Sequence, residues 1–289
     1  MPDQLLHALA FDDTVRVVAA VSTDVVREAQ RTHDTSPTAT SAMGRLLTAT
    51  ALIAATTKDD AQVEVRIDGG GPAGVLLARA TSDGDVYGTL QEPHATAPVN
   101  DAGKLDVGAI VGTQGLLTVT RVLPHGDPYV GAVPLATGEI GDDIAHYYLQ
   151  SEQVQSAIGV GVLCTADRGV SGAGGFLLQI LGGASEEVLD ELEARLATIR
   201  GLSREIDGGL GARELLERLV GDDHRVLAER DLRLHCPFDR EHYRARVAGL
   251  GLEGLNAAFG ELAEIEVICE FSRRAYIFAR GDFPDVFRD

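Results

Sequence analysis

Three cysteines are spread over 289 residues, and two of them stand where sulfur chemistry is possible. Cys236 lies in Leu-Arg-Leu-His-Cys-Pro-Phe-Asp-Arg-Glu, and Cys269 in Ile-Glu-Val-Ile-Cys-Glu-Phe-Ser-Arg-Arg. Each ends a short alternating stretch, Leu232 and Leu234 before the first and Ile265 and Val267 before the second, which reads as a strand. A helical pattern lies between them. The order predicts a small strand-helix-hairpin module over residues 231–289, with two knuckles brought together. Knuckles of this kind suit a structural zinc, which takes four ligands, typically in two close pairs. Yet the position two after Cys236 is Phe238, and the position three after Cys269 is Ser272. His235, Asp239 and His242 are the nearby substitutes. His235 adjoins Cys236 on a strand and is expected to face the other way. The clasp is half dismantled, and no bound metal is expected.

Other reactive residue types are present but not arranged for catalysis. Cys164 follows the apolar run Val160 to Leu163 and reads as a packed small hydrophobe. Gly69-Gly70-Gly71-Pro72 follows a strand but lacks the Gly-Lys-Ser/Thr ending of a phosphate loop, so it reads as a turn. Gly172 to Gly175 reads the same way. The eight histidines lack metal-binding spacing, and no serine sits in a nucleophile elbow. Nothing assembles an acid, a base and a nucleophile, so an enzyme is not expected.

The elements that must position the cysteines fall into three stretches. Residues 1–181 predict an α+β core, a mixed sandwich. It has an early strand at Val15 and Val17, then a helix capped by the hydroxyl of Ser22 or Thr23. A buried helix begins at Ser36-Pro37, where a proline in the first turn costs no hydrogen bond. Strand patterns recur at residues 62–67, 75–80, 86–90, 116–122 and 129–135. A helix covers 139–153, and a hairpin of 160–165 with 175–181 closes the domain. Residues 182–230 predict a helical linker. Leu189, Leu192, Leu196 and Ile199 form one apolar stripe there, and Gly201, Gly208, Gly209 and Gly211 interrupt it. That stripe reads as a face packed on the first domain and, when uncovered, as a binding surface.

Composition sets the class. A formal net charge of −19 argues against sequence-independent nucleic-acid binding, which depends on neutralising phosphates. The longest apolar-leaning run, Leu46 to Ala55, is too short to span a bilayer. Met1-Pro2-Asp3-Gln4 lacks the start of a secretory signal, and an odd cysteine count fits a reducing compartment. A cytoplasmic protein is expected, without membrane or nucleic-acid partners.

Along nearly its whole length the chain resembles the redox-regulated heat-shock protein 33 chaperones. The resemblance is carried by Ser36-Pro37-Thr38-Ala39-Thr40, by Gly103-Lys104-Leu105-Asp106-Val107-Gly108, by the helix from Gly138-Glu139-Ile140 to Ser151-Glu152-Gln153, and by Ala173-Gly174-Gly175-Phe176. It implies a holdase that binds unfolding polypeptides without ATP, and an active form that is a dimer. It also implies a zinc held by four thiolates in Cys-x-Cys and Cys-x-x-Cys pairs, whose oxidation releases the metal and unfolds the module. The corresponding positions here are Cys236, Phe238, Cys269 and Ser272. Two readings of the surviving thiols stand side by side. They form a disulfide closing a loop of about thirty residues, worth roughly 3–4 kcal/mol, or they are relics in a module held by apolar packing around Phe238, Phe271, Tyr276 and Phe278. A different functional class, a degenerate zinc ribbon docking one specific partner, is the alternative.

Overall fold

A computed structural model describes residues 2–57, 61–100, 103–125, 127–165, 167 and 169–287. The chain divides into two compact units, residues 1–235 and 236–289. In the first, β1 (Gln4–Ala10) and β2 (Val15–Val21) lead into α1 (Thr23–His33) and α2 (Pro37–Ala54). Strands β3 (Gln62–Asp68), β4 (Leu76–Thr81) and β5 (Asp85–Leu90) precede the short α3 (Val107–Val111). After β6 (Leu116–Val122) and β7 (Tyr129–Pro134), α4 (Ile140–Tyr147) runs into a π-helical turn at Tyr148–Glu152. A hairpin of β8 (Ser156–Thr165) and β9 (Gly169–Ile180) is followed by α5 (Glu186–Leu196), α6 (Leu202–Asp207) and α7 (Ala212–Val220). The unit closes on β10 (His224–Asp231) and β11 (Arg233–Leu234).

Two sheets, ordered β10-β1-β2-β9-β8 and β11-β5-β4-β3-β6-β7, both pack on α2. This is the α+β sandwich the sequence predicts, with a helix as its filling. The Ser36 side chain accepts the Ala39 N–H at 3.2 Å, and Pro37 opens the first turn. Every residue of α2 except Pro37 and Arg45 is buried. A helix apolar or small all round belongs in a core. Thr48 and Thr50 bring their hydroxyls inside by donating to the carbonyls of Gly44 and Leu46 one turn back.

Several expectations are corrected. Ser22 does not cap α1 with its side chain; its hydroxyl bonds Thr48 Oγ1 at 2.7 Å, and the Asp3 carboxylate accepts the Val25 N–H instead. Strand β1 goes unread in the sequence because Leu5, Leu6, Ala8, Leu9 and Ala10 are good helix formers. Pairing on both edges, with β2 and β10, overrides that preference. Gly172 to Gly175 is not a turn but part of β9. A Cβ on Gly172 would lie 2.2 Å from the Ser203 carbonyl oxygen, so glycine there lets α6 sit against the sheet.

Residues 182–230 do not form a separate unit. Leu202, Ile206, Leu215, Leu216 and Leu219 of α6 and α7 cover the sheet face presented by Leu6, Ala8, Val17 and Ala19, and α5 packs on α7 with Leu192 buried in the same cluster. Strand β10 then adds to that sheet beside β1, and β11 pairs in parallel with β5. Leu232, expected to open the C-terminal module, is buried in the core of the first unit. The division expected at residue 231 therefore falls between His235 and Cys236.

The second unit holds α8 (Arg240–Ala248), α9 (Gly251–Phe259), the hairpin β12 (Glu264–Ile268) and β13 (Ala275–Ala279), and a 3-10 turn at Arg280–Asp282. The hairpin pairs Glu264 with Ala279 through Ile268 with Ala275. Val247, Leu255, Phe259, Phe278 and Phe283 form its small core. Asp239 caps α8, its carboxylate accepting the His242 N–H at 2.8 Å.

Candidate functional site

Two sulfurs meet in the second unit. Cys236 precedes the capped start of α8, and Cys269 follows β12 at the mouth of the hairpin turn. The turn is closed by Cys269 N–H to the Arg274 carbonyl and Arg273 N–H to the Cys269 carbonyl, each 2.9 Å. Arg273 takes a positive φ of 56° to make it. The two Sγ atoms lie 3.7 Å apart, with both thiols free. A disulfide needs about 2.05 Å between sulfurs, so a small approach would join them.

The two thiols differ in acidity. Burial pushes the Cys236 thiol up to about 11, with the neighbouring Cys269 sulfur adding to the rise. Burial acts on Cys269 as well, but it is outweighed by the Ser272 side chain, the Tyr243 hydroxyl and the backbone N–H groups of Ser272 and Phe271. The Ser272 N–H donates to Cys269 Sγ at 3.3 Å. Cys269 is thus held below the usual thiol range and is the better thiolate, with Cys236 as its S–H donor. Hydrogen bonds to the charged form of a group favour that form.

Aromatic rings fill the space beside the sulfurs. Phe238 stacks on His242 with centroids 4.3 Å apart and planes 23° apart, and it meets Phe271 at 5.7 Å. The Tyr276 hydroxyl donates to the Phe238 carbonyl at 2.9 Å, while its ring stacks on Tyr243 at 5.2 Å. Phe278 does not join this group. It lies with Phe259 and Phe283 in the small core, two residues further along β13.

The four-thiolate zinc implied by the resemblance does not fit these residues. Two sulfurs are present, a phenyl ring occupies position 238, and position 272 offers only a hydroxyl. Among the described residues no three His, Cys, Asp or Glu side chains gather as a metal site. Asp239 is engaged in capping α8. The His242 ring lies against Phe238, its Nε2 buried without a hydrogen-bond partner. His235 belongs to the first unit, where its N–H donates to the Val86 carbonyl.

A family profile described as "Hsp33 protein" matches residues 3–279. The chain belongs to the Hsp33 family. Relatives named 33 kDa chaperonin include those of Bacillus velezensis, 38% identical with 98% of each chain covered, and Bacillus subtilis, 38% identical with 97% of this chain and 96% of the relative covered. The crystal structure of the 33 kDa chaperonin of Thermotoga maritima superposes with a TM-score of 0.89 at 29% identity, over 99% of this chain and 98% of that one. An Hsp33 chain is a molecular chaperone, and the family is not one of enzymes.

The remaining expected residues of this Hsp33 chain lie in the first unit. Leu192 is buried beneath α5, and Leu196 and Ile199 pack at the margin of the same apolar cluster. Leu189 is half-buried at the edge of the helix. Three of the four therefore turn inward to that cluster, where α5 packs on α7, and Leu189 lies outside it. Tyr243 escaped the sequence reading, although it lies one helical turn after the capping Asp239 and faces Cys269. The signal was available, because residues four apart on a helix share a face. No helix among the described residues is long and apolar enough to cross a membrane.

Proposed function

We propose that this chain is an ATP-independent holdase of the cytoplasm that binds unfolding polypeptides through the apolar faces of α5–α7 and of the sheet beneath them, with zinc playing no part in its control. The observation that carries the reading is the layer itself. Three helices of six to eleven residues, separated by glycines at 201, 208, 209 and 211 and ended by Gly221, stack over an apolar sheet face, α6 and α7 directly on it and α5 on α7. Short, glycine-broken helices rely on packing for their stability, so such a layer opens at modest cost and presents two apolar surfaces at once. Leu189, Leu192, Leu196 and Ile199 would then meet client. The net charge of −19 keeps loaded complexes apart, and a homodimer, as the family resemblance implies, would offer two such faces to one client.

The sulfur pair supports a further part of this reading. Two thiols and one hydrogen peroxide give a disulfide and two waters: a thiolate is oxidised to sulfenic acid, and the other thiol displaces water from it. A Cys236–Cys269 bond would tie β12 to the start of α8 and hold the module folded, so oxidation would not release it. The test is suppression of light scattering from a heat-aggregating client, without ATP, by reduced and by peroxide-treated protein. The reduced protein is expected to suppress aggregation, with peroxide leaving activity unchanged or lower. Activity gained only after peroxide would reject this regulation, and no activity in either state would reject the holdase.

A further inference from the structure

A cavity of about 310 Å3 opens where β2 and β9 of one sheet meet the end of β6 and the π-helical turn. Arg16, Thr56, Arg121, Tyr148, Glu152 and Gln179 line it. Its charges do not balance. Arg121 is paired with Glu152 at 2.5 Å. Arg16 has no carboxylate partner among the described residues. One of its terminal nitrogens donates to Gln179 Oε1 at 3.3 Å, and its Nε is buried with no acceptor. Tyr148 is 2% exposed, and its hydroxyl is buried facing Thr56 and Arg121 without a hydrogen bond of normal geometry to either. Thr56 gives its own hydroxyl proton to the Ile53 carbonyl.

A half-buried guanidinium without a counter-charge and a buried phenol without an acceptor each carry an uncompensated desolvation penalty. Both line one cavity, and both are donors. With two arginines against one glutamate, the cavity has a net positive charge. The Tyr148 phenol, pushed up to about 12 mainly by burial, stays protonated and able to donate. From this geometry we infer that the cavity is a binding site for the oxyanion group of a small molecule, a phosphate or carboxylate, received by the Arg16 guanidinium and, on a small side-chain shift that opens it to the cavity, by the Tyr148 hydroxyl, with Arg121 completing the positive wall. This site is independent of the holdase reading and of the cysteine pair.

The probe is inorganic phosphate, with acetate as a planar counterpart, titrated calorimetrically into the full-length chain at constant ionic strength set with chloride. Saturable one-to-one binding of either oxyanion is expected. Losing a charge-assisted hydrogen bond weakens binding about tenfold or more, and Arg16→Gln should do so. Tyr148→Phe, which keeps the ring and removes only the donor, should weaken it several-fold, and Arg233→Gln on the exposed edge strand β11 should have no effect. Absence of saturable binding by both oxyanions overturns the assignment, as does undiminished binding in Tyr148→Phe. If Arg16→Gln does not fold, Tyr148→Phe decides alone.

Discussion

Phe238 and Ser272 stand beside the same two sulfurs and act on them differently. The phenyl ring lies flat on His242 and is half-buried, so it contributes less than the roughly 1.5–3 kcal/mol of a fully buried Phe. Ser272 directs its backbone N–H at Cys269, which favours the thiolate. The knuckle thus keeps the hydrogen bonds that would support a metal-bound sulfur while lacking half of the sulfurs. Phe238→Cys with Ser272→Cys in one chain therefore restores four thiols on a backbone already shaped for them. Metal analysis of the double variant should find about one zinc per chain, and the parent none. A double variant that folds but takes up no zinc would mean that the two turns no longer present their side chains to a common point. The meeting of Cys236 and Cys269 could be read from the sequence because one cysteine remained in each knuckle. The companions of Phe238 could be read only in part. Tyr276 and Phe278 share a face of β13, but two residues of strand displace Phe278 by about 7 Å, and it serves the core under α8 and α9. Such a displacement is invisible until the hairpin register is known.

At the scale of elements, the first unit turns on how α5–α7 are seated. The stripe Leu189, Leu192, Leu196, Ile199 was legible from its period of three and four residues. What lies beneath it was not, because α5 packs on α7 and part of the sheet face below comes from β1, whose Leu and Ala composition speaks for helix. Strand β10 was hidden for a related reason: as an edge strand it leaves Val226 and Leu227 partly exposed, so its pattern lacks a clean alternation. The seat is tight at Gly172, where any side chain would strike α6. Replacing Leu192, 3% exposed, removes the central anchor of α5. Loss of a buried leucine side chain costs about 2–5 kcal/mol, and Leu192→Ala should lower amide exchange protection across α5 by roughly thirtyfold, the factor that matches about 2 kcal/mol. Protection in α2 should fall far less, since α2 is held between both sheets. The same variant should bind more hydrophobic dye and suppress client aggregation at a lower temperature than the parent. Looser α5 amides without gain in either property would separate the layer from client binding.

At the scale of the whole molecule, the two units differ in what they can afford to lose. The first has two sheets and a central helix to bury apolar surface. The second spans residues 236–289, a length at which a core is marginal without a disulfide, a metal or a partner. Its core rests on Val247, Leu255, Phe259, Phe278 and Phe283, and the metal the family implies does not fit its residues. The cysteine pair is the one remaining means of cross-linking it, and the loop it would close spans 33 residues. Chain entropy assigns such a closure roughly 3–4 kcal/mol, and in a domain this small each kcal/mol moves the midpoint by about 4–8 °C. Calorimetry of the reduced chain should therefore show two transitions, the smaller and cooler one belonging to the second unit. Peroxide should raise that transition by about 10 °C or more and leave the larger one in place. Reductant should reverse the shift, and Cys236→Ser should abolish it. A peroxide-treated sample whose small transition moves down or vanishes would mean that oxidation opens this module, and the sulfur pair would then be a release and not a lock.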